Sequence, residues 1–183
     1  MMGMNEMAQV QQTVPEPGVS PVTAELYRDG MSRLAGAVSI VTMNGSAGPA
    51  GFTASAVCSI TDSPPTLLVC AKLSSSIGTA IQENRAICVN TLAPLHEDLA
   101  RLFGGKTPMQ DRFTATGWTS GLSGAPILAD ALVAFDGHVV DGKTVGTHRI
   151  LIVRVDAVHL SEGQEASVYF ARRFHRIVAA PSS

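Results

Sequence analysis

Short apolar runs separated by turn residues fill most of this chain, and helical spacing of apolar positions is confined to two or three short windows. Tyr27, Met31 and Leu34 recur at three- and four-residue steps, which predicts a helix with one apolar stripe ending near Gly36. A strand over 38–42 follows. Asn44-Gly45 then offers the two positive-φ residues of a hairpin turn, and 52–60 reads as the returning strand. Pro64-Pro65 interrupts regular structure before the dense apolar run 66–71, expected to be a strand buried on both faces. A bend at Ser74, Ser75 and Ser76 leads into a short helix near 77–84, and 87–92 is a further strand. Pro94 opens another helix, with Glu97 and Asp98 in its first turn, Leu95, Leu99 and Leu102 along one side, and a stop at Gly104-Gly105. The stretch 106–130 reads as loop. Strands over 131–140 and 147–160, with a last edge strand at 167–170, finish the sheet. Many strands and few helices make this a mainly β protein, a closed or nearly closed antiparallel barrel rather than a doubly wound sheet.

Residues 1–20 carry Gln, Pro, Glu and Gly without apolar periodicity and are expected to be a loosely held tail, leaving 21–183 as a single domain. A chain of 183 residues buries enough surface for a core that needs no disulfide or structural metal. With 13 Lys+Arg against 15 Asp+Glu, and no basic cluster, neither a nucleic acid nor an anionic membrane is the expected partner. Charged residues reach only 15% against 45% apolar, which fits a protomer that covers part of itself with a partner subunit. No apolar run approaches the length of a membrane span and residues 1–10 have no signal-peptide character, so the expected location is cytoplasmic. Cys58, Cys70 and Cys88 form an odd set without CxxC spacing and are expected to be buried thiols.

Several familiar motifs fail on inspection. Gly105-Lys106-Thr107 resembles the end of a phosphate loop, but the glycine required five positions earlier is Ala100, within a helical segment. His96-Glu97 starts a zinc-protease pattern whose second ligand position is again Ala100. No GxGxxG follows a strand, no Gly-x-Ser-x-Gly elbow exists, and the five histidines have no metal spacing, so no metal site is expected.

Three clusters remain. Thr53, Ala54, Ser55, Ala56, Val57, Cys58 and Ser59 put small and hydroxylated residues where a strand ordinarily carries large ones. A flat heterocycle can approach such a backbone and use its N–H, C=O and hydroxyl groups; a tightly packed Ala/Ser strand is the plain alternative. Lys72 with Ser74, Ser75 and Ser76, at a strand end and helix start, suits a phosphate, or else an ordinary Ser-capped helix. Tyr169, Phe170, Arg172, Arg173 and Phe174 set two guanidiniums among three aromatics, fit to hold a pyrophosphate or stack on a base, or to form a solvated edge.

The ordered strings Gly51-Phe-Thr-Ala-Ser-Ala-Val-Cys-Ser-Ile-Thr-Asp-Ser-Pro-Pro65, Cys88-Val-Asn-Thr-Leu92, Phe103-Gly-Gly-Lys-Thr-Pro-Met109, Gly146-Thr-His148 and Tyr169-Phe-x-Arg-Arg-Phe174 resemble the short-chain NAD(P)H:flavin reductases, small partners of two-component flavin monooxygenases. Within them the chain is most similar to the reductases of pyrimidine utilisation and 4-hydroxyphenylacetate hydroxylation. The resemblance implies an FMN-binding split barrel of the flavin-reductase type and a homodimer with flavin near the subunit interface. It further implies FMN, with FAD as the alternative, used as a substrate that leaves once reduced. Thr53 to Ser59 and Ala71 would then line the isoalloxazine and ribityl, Lys72, Ser75 and Ser76 would face the phosphate, and Phe103 and Gly104 would border the ring. His148 would sit near the nicotinamide, and Tyr169, Arg172 and Arg173 would touch the dinucleotide. Many relatives carry Asp where this chain has Thr147, so a carboxylate beside His148 is missing.

The implied reaction is hydride transfer from NADH, or NADPH, to flavin N5, for which the protein needs geometry more than strong acids or bases. His148 is the one candidate catalytic residue, as a polar contact to the nicotinamide or its ribose. Two other readings stay open: a flavin-binding or electron-transfer module without turnover, and an FMN-dependent oxidase of the pyridoxamine-phosphate type.

Overall fold

The computed structural model describes residues 21–73 and 77–180; the expected tail 1–20, together with Ser74, Ser75 and Ser76, lies outside them. In chain order the elements are α1 (Ala24–Met31), β1 (Gly36–Ala37), β2 (Ser39–Asn44), β3 (Ala50–Ala54), β4 (Val57–Asp62), β5 (Pro65–Lys72), α2 (Gly78–Glu83), β6 (Ala86–Thr91), α3 (Glu97–Gly104), α4 (Met109–Arg112), β7 (Trp118–Ser120), β8 (Pro126–Leu128), β9 (Val133–Val145), β10 (His148–Leu160), β11 (Glu165–Phe170) and β12 (Arg173–Val178).

Seven strands form one antiparallel sheet in the order β3-β2-β6-β9-β10-β5-β4. Its edge strands β3 and β4 are consecutive in sequence, joined only by Ser55 and Ala56. Such a short link cannot cross the width of a flat sheet, since a residue spans at most about 3.5 Å and neighbouring strands lie about 4.8 Å apart. The sheet therefore curls until its edges meet at this joint, giving a split barrel. Smaller sheets, β1-β11-β12 and β7-β8, pack outside it.

The interior is filled by alternate residues of the curled strands: Val41 and Met43, Ile87 and Val89, Leu67 and Val69, Leu151 and Val153, closed at one end by Ile77 and Ile81 around α2. A second cluster covers the outer face of β2 and β6, where Ile40 and Cys88 meet Ala100, Phe103, Ile127 and Leu128. The strands buried on both faces are thus β2 and β6. The expectation for 66–71 changes accordingly: β5 buries Leu67, Val69 and Ala71 and leaves Leu68 and Cys70 only half-buried.

Several boundaries also differ from expectation. The first helix stops at Met31, because Gly36 and Ala37 pair with Tyr169 and Val168. The β2–β3 connection takes its left-handed residue at Gly48 (φ 76°), and Asn44 instead bonds Gly124 O through Nδ2 (3.1 Å). The stretch 52–60 is two strands rather than one, and the 106–130 region contains α4, β7 and β8. The last sheet adds β12, so β11 is central in it. Of the three thiols only Cys88 is buried, and burial, with a smaller contribution from Asp136, raises its pKa; Cys58 is exposed. No helix among the described residues is long and apolar enough to cross a membrane.

Buried Asn90 joins three strands. Its Nδ2 donates to Ile40 O (3.1 Å) and Thr42 Oγ1 (3.2 Å), and its Oδ1 accepts from Leu128 N (2.9 Å). Asn90→Leu leaves the Leu128 N–H and the Ile40 carbonyl without these partners and is expected to cost about 2–3 kcal/mol in urea unfolding. Mass-resolved labelling with a thiol reagent should modify Cys58 under native conditions and reach Cys88 only in denaturant.

Candidate functional site

Where the barrel fails to close, the chain leaves the edge of β3, crosses the Ser55-Ala56 joint and starts β4 at the opposite edge. Ala56 carries the β4–β5 ladder one residue into the joint, its carbonyl accepting from Cys70 N (3.0 Å). A cavity of about 730 Å³ opens over this joint. Phe52, Thr53, Ala54, Ser55 and Ala56 form one side, and Cys70, Lys72 and His148 another. His148 and Lys72 are brought level by the antiparallel register of β10 on β5. The end of α3 and the loop after it, Phe103 to Lys106, make the facing wall, with Arg112 behind it.

Each wall has a physical reason for its place. Thr53 Oγ1 donates to Ala100 O (2.6 Å), which ties β3 to α3 and leaves this hydroxyl only its acceptor lone pairs for a ligand. Phe103 is held by an aromatic trio with Phe113 (5.3 Å between ring centres) and Trp118 (5.4 Å). Gly51 is required beneath it, because a Cβ there would lie 2.7 Å from the Phe103 ring. Arg112, 4% exposed, donates to the carbonyls of Thr107 (2.9 Å), Phe103 (2.8 Å), Gly51 (3.1 Å) and Gly105 (3.0 Å). Burial lowers its pKa from the ordinary arginine value. Thr147 Oγ1 lies 2.9 Å from His148 Nδ1, so a hydroxyl orients the ring and leaves Nε2 for a ligand.

Lys72, Lys106, Arg112 and His148 contribute to the lining, and no carboxylate does among the described residues. The volume falls within the usual range for small-molecule sites, about 300–1,000 Å³. Small side chains on one side and cations around it fit a flat heterocycle that carries a phosphate.

Of the residues singled out from sequence, Thr53, Ala54, Ser55, Ala56, Lys72, Phe103, Gly104 and His148 come together around this cavity. Val57, Cys58 and Ser59 do not line it; they run along β4 and border a separate groove with Phe135, Val155 and Val158. Ala71 is fully buried in the barrel, its side chain alternating with Cys70 and Lys72 on the cavity side. Tyr169 lies in an adjoining groove of about 470 Å³ that shares Thr53, Ala54, Ser55 and Gly104 with the first, and has Phe174 and Arg101 on its far wall. Arg101 stacks on Phe174, 4.8 Å from the ring centre. Arg172 pairs with Asp29 and Arg173 opens β12; neither lines these two cavities. Ser75 and Ser76 lie outside the described residues.

Sequence reasoning missed Cys70, Lys106 and above all Arg112. A buried guanidinium satisfied by carbonyls leaves no motif, since its partners are main-chain atoms that any residue supplies. The only available hint was the Gly-Gly pair, which marks a loop that needs outside support.

Comparison with known proteins bears on the family and the fold. The sequence profile of the family described as flavin reductase like domain matches residues 31–178. The FMN reductase (NADH) RutF of Ancylobacter novellus is 52% identical over 160 residues, covering 87% of this chain and 88% of that protein. The NADH:FAD oxidoreductase SgcE6 of Streptomyces globisporus superposes with a TM-score of 0.80 at 27% identity, over 92% of this chain and 100% of the other. BorF, the flavin reductase component of a bacterial two-component tryptophan halogenase, superposes with a TM-score of 0.79 at 25% identity, over 86% of this chain and 100% of that one.

Proposed function

The chain belongs to the flavin reductase-like family and is an NADH-dependent flavin reductase; we propose that it reduces FMN as a diffusible substrate and releases it to a partner monooxygenase. The observation that carries this reading is the cavity at the split of the barrel, where main chain with small side chains faces a ring of cations and no carboxylate lines the space among the described residues. Relatives named as FMN reductase (NADH), and a neighbour named as the reductase component of a two-component halogenase, support it.

In this reading the bound flavin supplies the hydride-accepting ring, and NADH the hydride. Lys72 would hold the phosphate, the group to which the sequence also assigns Ser75 and Ser76. Main-chain groups of Ser55 and Ala56 would serve the polar edge of the ring, and the Thr53 hydroxyl would serve it as an acceptor. Arg112 and Lys106, on the other wall, would favour negative charge on the ring once it is reduced. His148 offers Nε2 to the nicotinamide carboxamide or its ribose, with Thr147 fixing the ring in the role a carboxylate would otherwise take. Tyr169 borders the path of the dinucleotide from the adjoining groove, whereas Arg173, and Arg172 paired with Asp29, lie outside both cavities and could reach the dinucleotide only beyond them.

Residues 21–183 act as one domain, and the working form is a homodimer. The α1 helix buries none of its residues and exposes Leu26 and Tyr27, with Leu34 exposed just beyond its end, an apolar surface that a second subunit would cover.

Purified protein is expected to be pale and to oxidise NADH only in proportion to added FMN, with hydrogen peroxide in air matching the NADH consumed. A protein that retains yellow flavin through gel filtration and oxidises NADH sluggishly would instead be a binding module. His148→Ala should raise the KM for NADH about tenfold, the loss expected for one polar contact, with little change in the KM for FMN. The opposite split would remove His148 from the nicotinamide.

A further inference from the structure

Resting on the flavin reading of this cavity, we propose that Arg112 is a positioning residue, which pre-forms the wall made by residues 103–107 so that flavin meets a rim already ordered. Four of the five N–H donors of its guanidinium are placed on carbonyls: Thr107 O through Nε (2.9 Å), Phe103 O (2.8 Å) and Gly51 O (3.1 Å) through Nη1, and Gly105 O through Nη2 (3.0 Å). The three loop carbonyls alternate along the chain, so the segment wraps around the cation. Two of its residues, Gly104 and Gly105, have the widest conformational freedom of any residue type, and a ligand would otherwise have to restrict them on binding.

The fourth carbonyl makes the device more than a loop clip. Gly51 lies in β3, the strand that carries Thr53 and Ala54 and leads into the joint at Ser55, and its N–H also meets Met109 Sδ (3.2 Å) on α4. Arg112 therefore fixes the separation of two facing walls of the cavity. The Phe103 carbonyl is at the C-terminal end of α3, where helix carbonyls carry partial negative charge and favour a cation. Only a planar fork reaches acceptors on both elements at once; a lysine ammonium keeps the charge as a point and cannot span them.

The test is flavin binding by the full chain without NADH, read from quenching of FMN fluorescence. Arg112→Lys, which keeps the charge, is expected to weaken binding about ten- to hundredfold, the scale set by losing hydrogen bonds to a charged group. Arg112→Ala should be equally weak and regain affinity in millimolar guanidinium, far below denaturing levels. A fold that is merely destabilised would not respond in that way. Affinity of Arg112→Lys within about threefold of wild type, too small to represent a lost charged hydrogen bond, would overturn the proposal, as would an alanine variant that guanidinium does not restore. Should the alanine variant fail to fold, amide exchange of the wild type decides: amides of Gly104 to Thr107 protected before FMN is added support the proposal, and amides protected only afterwards refute it. A wild type that does not bind FMN would refute the flavin reading itself, whereas normal binding by both wild type and Arg112→Lys refutes Arg112 alone.

Discussion

A two-residue link between opposite edges of a seven-stranded sheet is the constraint on which this molecule depends. Because Ser55 and Ala56 can bridge only strands that are already close, the sheet must curl. Because the chain passes straight through the joint instead of folding back as a hairpin, no β3–β4 ladder seals it. The seam needs other cover, and α3 supplies it on the β3 side through Thr53 and Ala100. What stays uncovered is a slot with main chain on one side. Barrel topology thus produces the candidate binding surface, and the small residues around the joint keep it accessible.

The same economy runs through the chemistry. A protein whose reaction belongs to its bound molecules relies on placement more than on strong acids or bases. The few cations that face the cavity come from three separate parts of the fold: the β5 end, the loop after α3 and α4. None is held there by a carboxylate that also lines the cavity among the described residues. Polar side chains elsewhere in the core are joinery, as with Asn90 between β2, β6 and β8.

Much of the strand pattern was legible because period-two alternation and turn residues are local signals. The barrel class, the β10–β5 region and the stop of α3 at Gly104 all follow from such signals. The break at Ser55-Ala56 was not legible, since small residues that look like one continuous strand are equally compatible with a bend between two. That ambiguity also explains the site. Thr53 to Ala56 reach the cavity while Val57 to Ser59, equally small or hydroxylated, pass to another face. The extreme burial of β2 and β6 depends on α3 and β8 packing from outside, a long-range fact that no window of sequence contains. Arg112 was hidden for a related reason. A cation inside a polar stretch reads as solvated until the fold shows carbonyls converging on it.

Trp118 is the chain's only tryptophan, and its ring packs 5.4 Å from Phe103, which itself borders the cavity. Its ultraviolet emission overlaps the near-ultraviolet absorption band of oxidised flavin, so an indole at this position would donate excitation energy to a flavin bound in the slot. With flavin in that slot the molecule would carry its own optical gauge of occupancy, light from a single residue dimming as ligand enters and brightening as it departs.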